Sequence, residues 1–170
     1  MARAIMFSKY FPSYHPKAGQ PTYFVEKIRK YLSGSGNGES SQNFTKSLLN
    51  DVSGNTSSVD VFPKFHTIRS GHRWKELEYF SPRIWSGPPY ASKQVKITDD
   101  LQIKHVWDIL ILPSYEVFIN GQLYGFYGSP EVDALAKHDG LSGEDFQSWF
   151  SKLPFDGQII CWDEHIEYPN

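Results

Sequence analysis

Between Gln94 and Tyr127 apolar side chains fall on alternate positions, and this alternation commits much of the chain to antiparallel sheet. Leu101, Ile103, His105, Trp107, Ile109 and Ile111 lie on one side of a strand-like run over 101–112, after a shorter alternating run over 94–98. Asn120-Gly121 then stands between Val117–Ile119 and Leu123–Tyr127, the pairing that suits a two-residue primed turn. Further strands are predicted at 3–7, 66–69, 79–85 and 157–162. Pro82, inside the run from Tyr79 to Trp85, marks that strand as an edge or a bend. Helical spacing recurs over 22–32, where Tyr23, Phe24, Lys27, Ile28, Tyr31 and Leu32 share a face. Ser129-Pro130 opens a second helix that stops near Gly140, and Ser142 with Asp145 caps a third over 143–153. Five to seven strands in mainly antiparallel order, with two or three short helices, predict an α+β domain built as a β-barrel.

One segment breaks this pattern. Residues 33–60 are rich in Gly, Ser and Asn, with apolar residues gathered only around 44–52. Such a stretch buries too little apolar surface to offset chain entropy, so it is predicted as a flexible insert holding one short helix near 43–51. At 170 residues, the chain is expected to be a single domain spanning 1–170 with this insert inside it. Several function classes drop out. No apolar run reaches the length of about 18 residues that spans a bilayer. Cys161 is the sole cysteine, which excludes an internal disulfide, and its apolar setting suits a buried thiol. A cytoplasmic protein is expected. No glycine-rich phosphate loop is present, and the histidines show no metal-ligand spacing, so no cofactor and no metal are predicted.

Charge is distributed unevenly. Residues 64–96 hold seven Lys/Arg against two acids, within a chain whose net charge is -2. His66, His72, Trp74, Trp85 and Tyr90 are interleaved with those bases, and aromatic residues are 16% of the whole, enough to supply a binding face as well as a core. Cations alternating with rings suit a polyanion with stackable bases. Arg83 and Trp85, two residues apart, should share a strand face before the rigid Pro88-Pro89 turn, unless the indole caps the core and the arginine pairs with a carboxylate. Arg69, Arg73, Arg83, Trp85 and Lys93 are the candidate ligand-binding residues.

Lys64-Phe65-His66-Thr67-Ile68-Arg69 offers a second kind of chemistry. Strand alternation puts Lys64, His66 and Ile68 on one side and Phe65, Thr67 and Arg69 on the other. Desolvation and the nearby Arg69 charge would both lower the lysine's pKa, turning it into a usable base or nucleophile. A charged strand rim would show the same residues.

The motif K-x-x-T-I-R after a helix, the later A-K-H-D-G-L-S-G-E-D-F-Q-S-W-F and the closing I-I-C-W together resemble the ASCH domain family of the PUA-like superfamily. The resemblance covers 22–162 apart from the insert. It implies a PUA-like barrel and binding of RNA or of a nucleobase-containing ligand. Its amidohydrolases acting on N4-acetylcytidine use a lysine, a threonine and a glutamate, which fall here on Lys64, Thr67 and Asp139; other members are ribonucleases. This chain has Phe62 where the family pattern has glycine, and Asp139 is one methylene shorter than the glutamate. Asp139-Gly140 also reads as an ordinary helix stop. The leading expectation is therefore a module that binds RNA or a modified nucleoside, with a hydrolase as the alternative. A protein-interaction domain using the aromatic hairpin at 117–127 is the third reading.

Overall fold

The computed structural model describes residues 1–34 and 61–170, so the short helix expected near 43–51 and nearly all of the insert lie outside the described residues. The described residues form an α+β fold of nine strands in two sheets, with three helices. In chain order these are β1 (Arg3–Met6), α1 (Phe24–Gly34), β2 (His66–Ser70), β3 (Tyr79–Trp85), β4 (Gln94–Lys96) and β5 (Leu101–Gln102). There follow β6 (His105–Ile111), β7 (Glu116–Ile119), β8 (Gln122–Phe126), α2 (Pro130–His138), α3 (Gly143–Trp149) and β9 (Phe155–Cys161).

The first sheet runs β1-β3-β4, with β5 also on β3; the second runs β2-β9-β6-β7-β8. Pairing is antiparallel throughout except for β1 on β3. Both hydrogen-bonded paths are open among the described residues. Rings join the sheets: the Trp162 ring, just past β9, lies 5.7 Å from Phe80 of β3 and 6.3 Å from Phe7, just past β1.

Three local expectations need correction. β3 is central, not an edge, because it pairs with β1 on one side and with β5 and then β4 on the other. Pro82 is tolerated because it falls where β3 changes partner from β5 to β4, and its carbonyl still accepts from Ile97 N (2.8 Å). The long run over 101–112 divides in two. Ile103 N bonds Glu78 O beside β3, whereas Lys104 N bonds Cys161 O at β9, so the chain crosses between sheets at that step. The third helix ends at Trp149, short of 153; Pro154 disfavours helix at the preceding residue, and Phe150 turns in against Phe146 and Phe155.

The β7–β8 turn and the two serine caps agree with the pattern. Asn120 (φ 48°) and Gly121 (φ 75°) make the tight β7–β8 turn, both in the left-handed region that this turn requires. Ser129 caps α2 and Ser142 caps α3, each accepting from the amide three residues on. α1 begins two residues later than its periodicity suggests, because Thr22 Oγ1 takes the Phe24 amide and Tyr23 has φ 60°. It continues through Ser33 and Gly34, residues assigned above to the insert. No helix of the described residues is long and apolar enough to cross a membrane.

Candidate functional site

The chain that enters β2 is held by three elements at once. Lys64 N donates to Lys27 O of α1 (3.1 Å), Phe65 N to His138 O of α2 (2.8 Å), and Trp162 N to Phe65 O (3.2 Å). Trp162 Nε1 adds a bond to Lys64 O (3.2 Å). Fixed this way, the Lys64 side chain runs inward and is 1% exposed. Its Nζ donates to Asp139 Oδ1 (2.9 Å) and to the Asp139 main-chain carbonyl, and lies 4.4 Å from the Phe24 ring centroid. Asp139 is the C-cap of α2, so the helix-stop reading and the site reading both hold for this residue. Gly140 (φ 86°) turns the chain out of the helix, and a Cβ there would stand 3.3 Å from Lys64 Cδ and Phe24 Cε1. A second ammonium arrives from α1: Lys27 Nζ donates to Gly140 O (2.7 Å). Two lysines thus meet the negative end of α2, where cations are favoured.

Burial pushes the Lys64 pKa down, and the Asp139 carboxylate opposes that shift without cancelling it. Burial would raise Asp139, but Lys64 and His66 together outweigh it and hold the carboxyl below its usual range. Lys27 is lowered to about 8, first by burial and then by Lys64. Arg69 is lowered to about 10 by burial; it donates to Met6 O (2.7 Å) and sits 5.2 Å from the Phe7 ring.

His66 and Tyr168 extend the cluster. His66 Nε2 bonds Tyr168 Oη (2.8 Å), and the same hydroxyl bonds His138 Nδ1 (2.9 Å). The other nitrogen of His66, Nδ1, is buried without a hydrogen-bond partner and stands 3.6 Å from Asp139 Oδ1. Burial lowers the pKa of both imidazoles, that of His138 to about 4. Thr67 is buried opposite Ile160, and among the described residues no hydrogen bond joins it to Lys64 or Asp139.

The remaining candidates lie apart. In β3, Phe80 and Ile84 face the core, while Arg83 and Trp85 alternate to the other side and are half-buried. Arg83 donates to Ser81 Oγ (3.0 Å) and Gln94 Oε1 (3.4 Å), so it pairs with neutral groups. Lys96 stands directly across from it in β4, ion-paired to Asp100 at 3.2 Å. The Trp85 ring lies 5.2 Å from that of Tyr90, which is 91% exposed. Lys93 is exposed in the same β3–β4 hairpin, and Lys9 Nζ reaches Ser86 O at 3.4 Å. Arg73 stacks instead over Trp74 (5.4 Å), with Arg3 on the same ring (4.4 Å). Arg3 is three strand positions before Met6, the residue paired with Arg83. That places the Arg73 end about 10 Å away along β1.

Two groups result: a buried cluster of Lys64, Asp139, Lys27, His66, Tyr168 and His138, reached by Arg69, and an open basic-aromatic face of Arg83, Trp85, Tyr90, Lys93 and Lys96. Among the described residues no group of three His, Cys, Asp or Glu side chains is placed to hold a metal ion. His66 shares the Lys64 strand side, a signal visible in the sequence; Lys27 and Tyr168 carry none. No protein-family model, curated protein or solved structure matches this chain.

Proposed function

We propose that the chain binds single-stranded RNA or a modified nucleoside on the face that carries Arg83 and Trp85. The observation behind this is the Arg83–Lys96 cross-strand pair beside the Trp85–Tyr90 rings. Like charges directly opposite one another destabilise a sheet; Asp100 offsets Lys96, Arg83 bonds only neutral groups, and a bound phosphate would offset the Arg83 charge. The neighbouring rings offer a stacking surface for a base, with Lys93 and Lys9 at its margin. The two sheets joined through Phe7, Phe80 and Trp162 are read as the walls of a PUA-like barrel, in keeping with the ASCH-like motif at Lys64.

The test is fluorescence anisotropy with a labelled single-stranded RNA at two salt concentrations. Contact with about three to five phosphates makes affinity fall steeply with salt. Trp85→Ala should weaken binding about tenfold or more, as loss of one stacked base does. Affinity indifferent to both salt and Trp85→Ala would refute the proposal.

A second reading, hydrolysis of an N-acylated cytidine or of RNA, is favoured by the buried Lys64–Asp139 pair. Lys64 would act as base and Thr67 as nucleophile or oxyanion donor once a ligand draws them together. Turnover of N4-acetylcytidine that vanishes in Lys64→Ala would establish it.

A further inference from the structure

We propose that Tyr168 closes a directed hydrogen-bond chain from half-buried His138 to the Lys64–Asp139 pair, and that this chain is a proton path to the buried lysine. Donors and acceptors around the Tyr168 hydroxyl constrain the protons. Tyr168 Oη lies within hydrogen-bond distance of His66 Nε2 (2.8 Å) and His138 Nδ1 (2.9 Å), yet a phenol has one proton. It donates to one imidazole and accepts from the other, so the two histidine nitrogens cannot both be bare.

Asp139 decides the direction. His66 Nδ1 is fully enclosed, lacks a hydrogen-bond partner and faces the carboxylate at 3.6 Å. Beside an anion, that nitrogen is favoured as N–H, since a bare lone pair would be repelled. His66 then keeps Nε2 bare and accepts the Tyr168 proton, and Tyr168 accepts from His138 Nδ1–H. The order is His138 Nδ1–H to Tyr168 Oη–H to His66 Nε2, then His66 Nδ1–H toward Asp139. The charged groups around it fit neutral rings: Lys64 and Asp139 face His66, and Lys137, Asp163 and His66 face His138.

Such a chain can carry one proton inward with full balance. When Lys64 is an amine, His138 takes a solvent proton at Nε2 and passes its Nδ1 proton to Tyr168. Tyr168 passes its own to His66 Nε2, and His66 releases Nδ1–H to Asp139, which reprotonates Lys64. Each intermediate group gains one proton and loses one. Tyr168 is therefore a positioning residue, independent of whether the ligand is RNA or a nucleoside.

The test uses long-range proton–nitrogen correlation spectra of the full chain labelled in histidine, recorded between about pH 5 and 8. Both His66 and His138 should be neutral and protonated at Nδ1. Tyr168→Phe keeps the ring and removes the hydroxyl; His66 should stay Nδ1–H beside Asp139, while His138 loses its acceptor and shifts in part to the Nε2–H form. Wild-type His66 protonated at Nε2 would overturn the chain outright, as would a His138 tautomer unmoved by Tyr168→Phe. RNA binding on the Trp85 face should be equal in both proteins, so this test and that of the proposed function fail separately.

Discussion

Lys64 and Asp139 form an ion pair in which neither side chain is more than 6% exposed, with Nζ 2.9 Å from Oδ1. Two charges taken this far out of water depend on each other. Asp139→Asn leaves the ammonium without its counter-ion and should cost about 3–5 kcal/mol in a urea titration. Combining it with Lys64→Met removes both charges, and the double variant should be more stable than Asp139→Asn alone. Strictly additive losses would mean that the pair is not coupled.

Lys27 is half-buried and lowered to about 8 by burial and then by the neighbouring Lys64 charge. At pH 8 roughly half of its amine is unprotonated, against well under a hundredth for a lysine at the ordinary value. Brief treatment with an acylating reagent at that pH, mapped by mass spectrometry, should label Lys27 ahead of the exposed Lys93. Asp139→Asn should leave the labelling of Lys27 equal or slightly faster, since the Asp139 charge weakly opposes the lowering. Lys93 labelled first would contradict the assignment.

His72 is clamped between Asp108 and Asp156, with both ring nitrogens 2.9 Å from a carboxylate oxygen. Its pKa is raised first by the bond to Asp108 and then by that to Asp156. Because the folded value lies above the unfolded one, the stabilisation is complete below about pH 6.5 and fades as pH rises through the folded value. All three side chains are substantially exposed, so solvent screens the gain and the effect is small. Melting curves of wild type and His72→Asn should differ most on the acid side and converge above neutrality. A constant gap across pH would show that the clamp does not titrate.

Much of this was legible in the chain itself. The Asn120-Gly121 turn and the Ser129 and Ser142 caps depend on local chemistry, and each lies where its residues indicated. Pro82 misled because its cost depends on where the partner strands part, which no local pattern records. The same holds for Leu101–Leu112, whose unbroken alternation hides a crossing between sheets at Ile103–Lys104. At the site, Lys64 and Asp139 are 75 positions apart yet meet, while Thr67 and Lys64, three apart, share no hydrogen bond. Tyr168 was illegible, since nothing in an acidic tail marks one tyrosine as the partner of two distant histidines.

The binding face can be located directly by photo-crosslinking. A single-stranded RNA carrying 4-thiouridine would be irradiated with the protein at low salt, and the adducts mapped by mass spectrometry. Adducts on Trp85 or Tyr90, lost in Arg83→Gln and at high salt, are the predicted result. Adducts confined to other surfaces, or none at all, would contradict the placement of the ligand on this face.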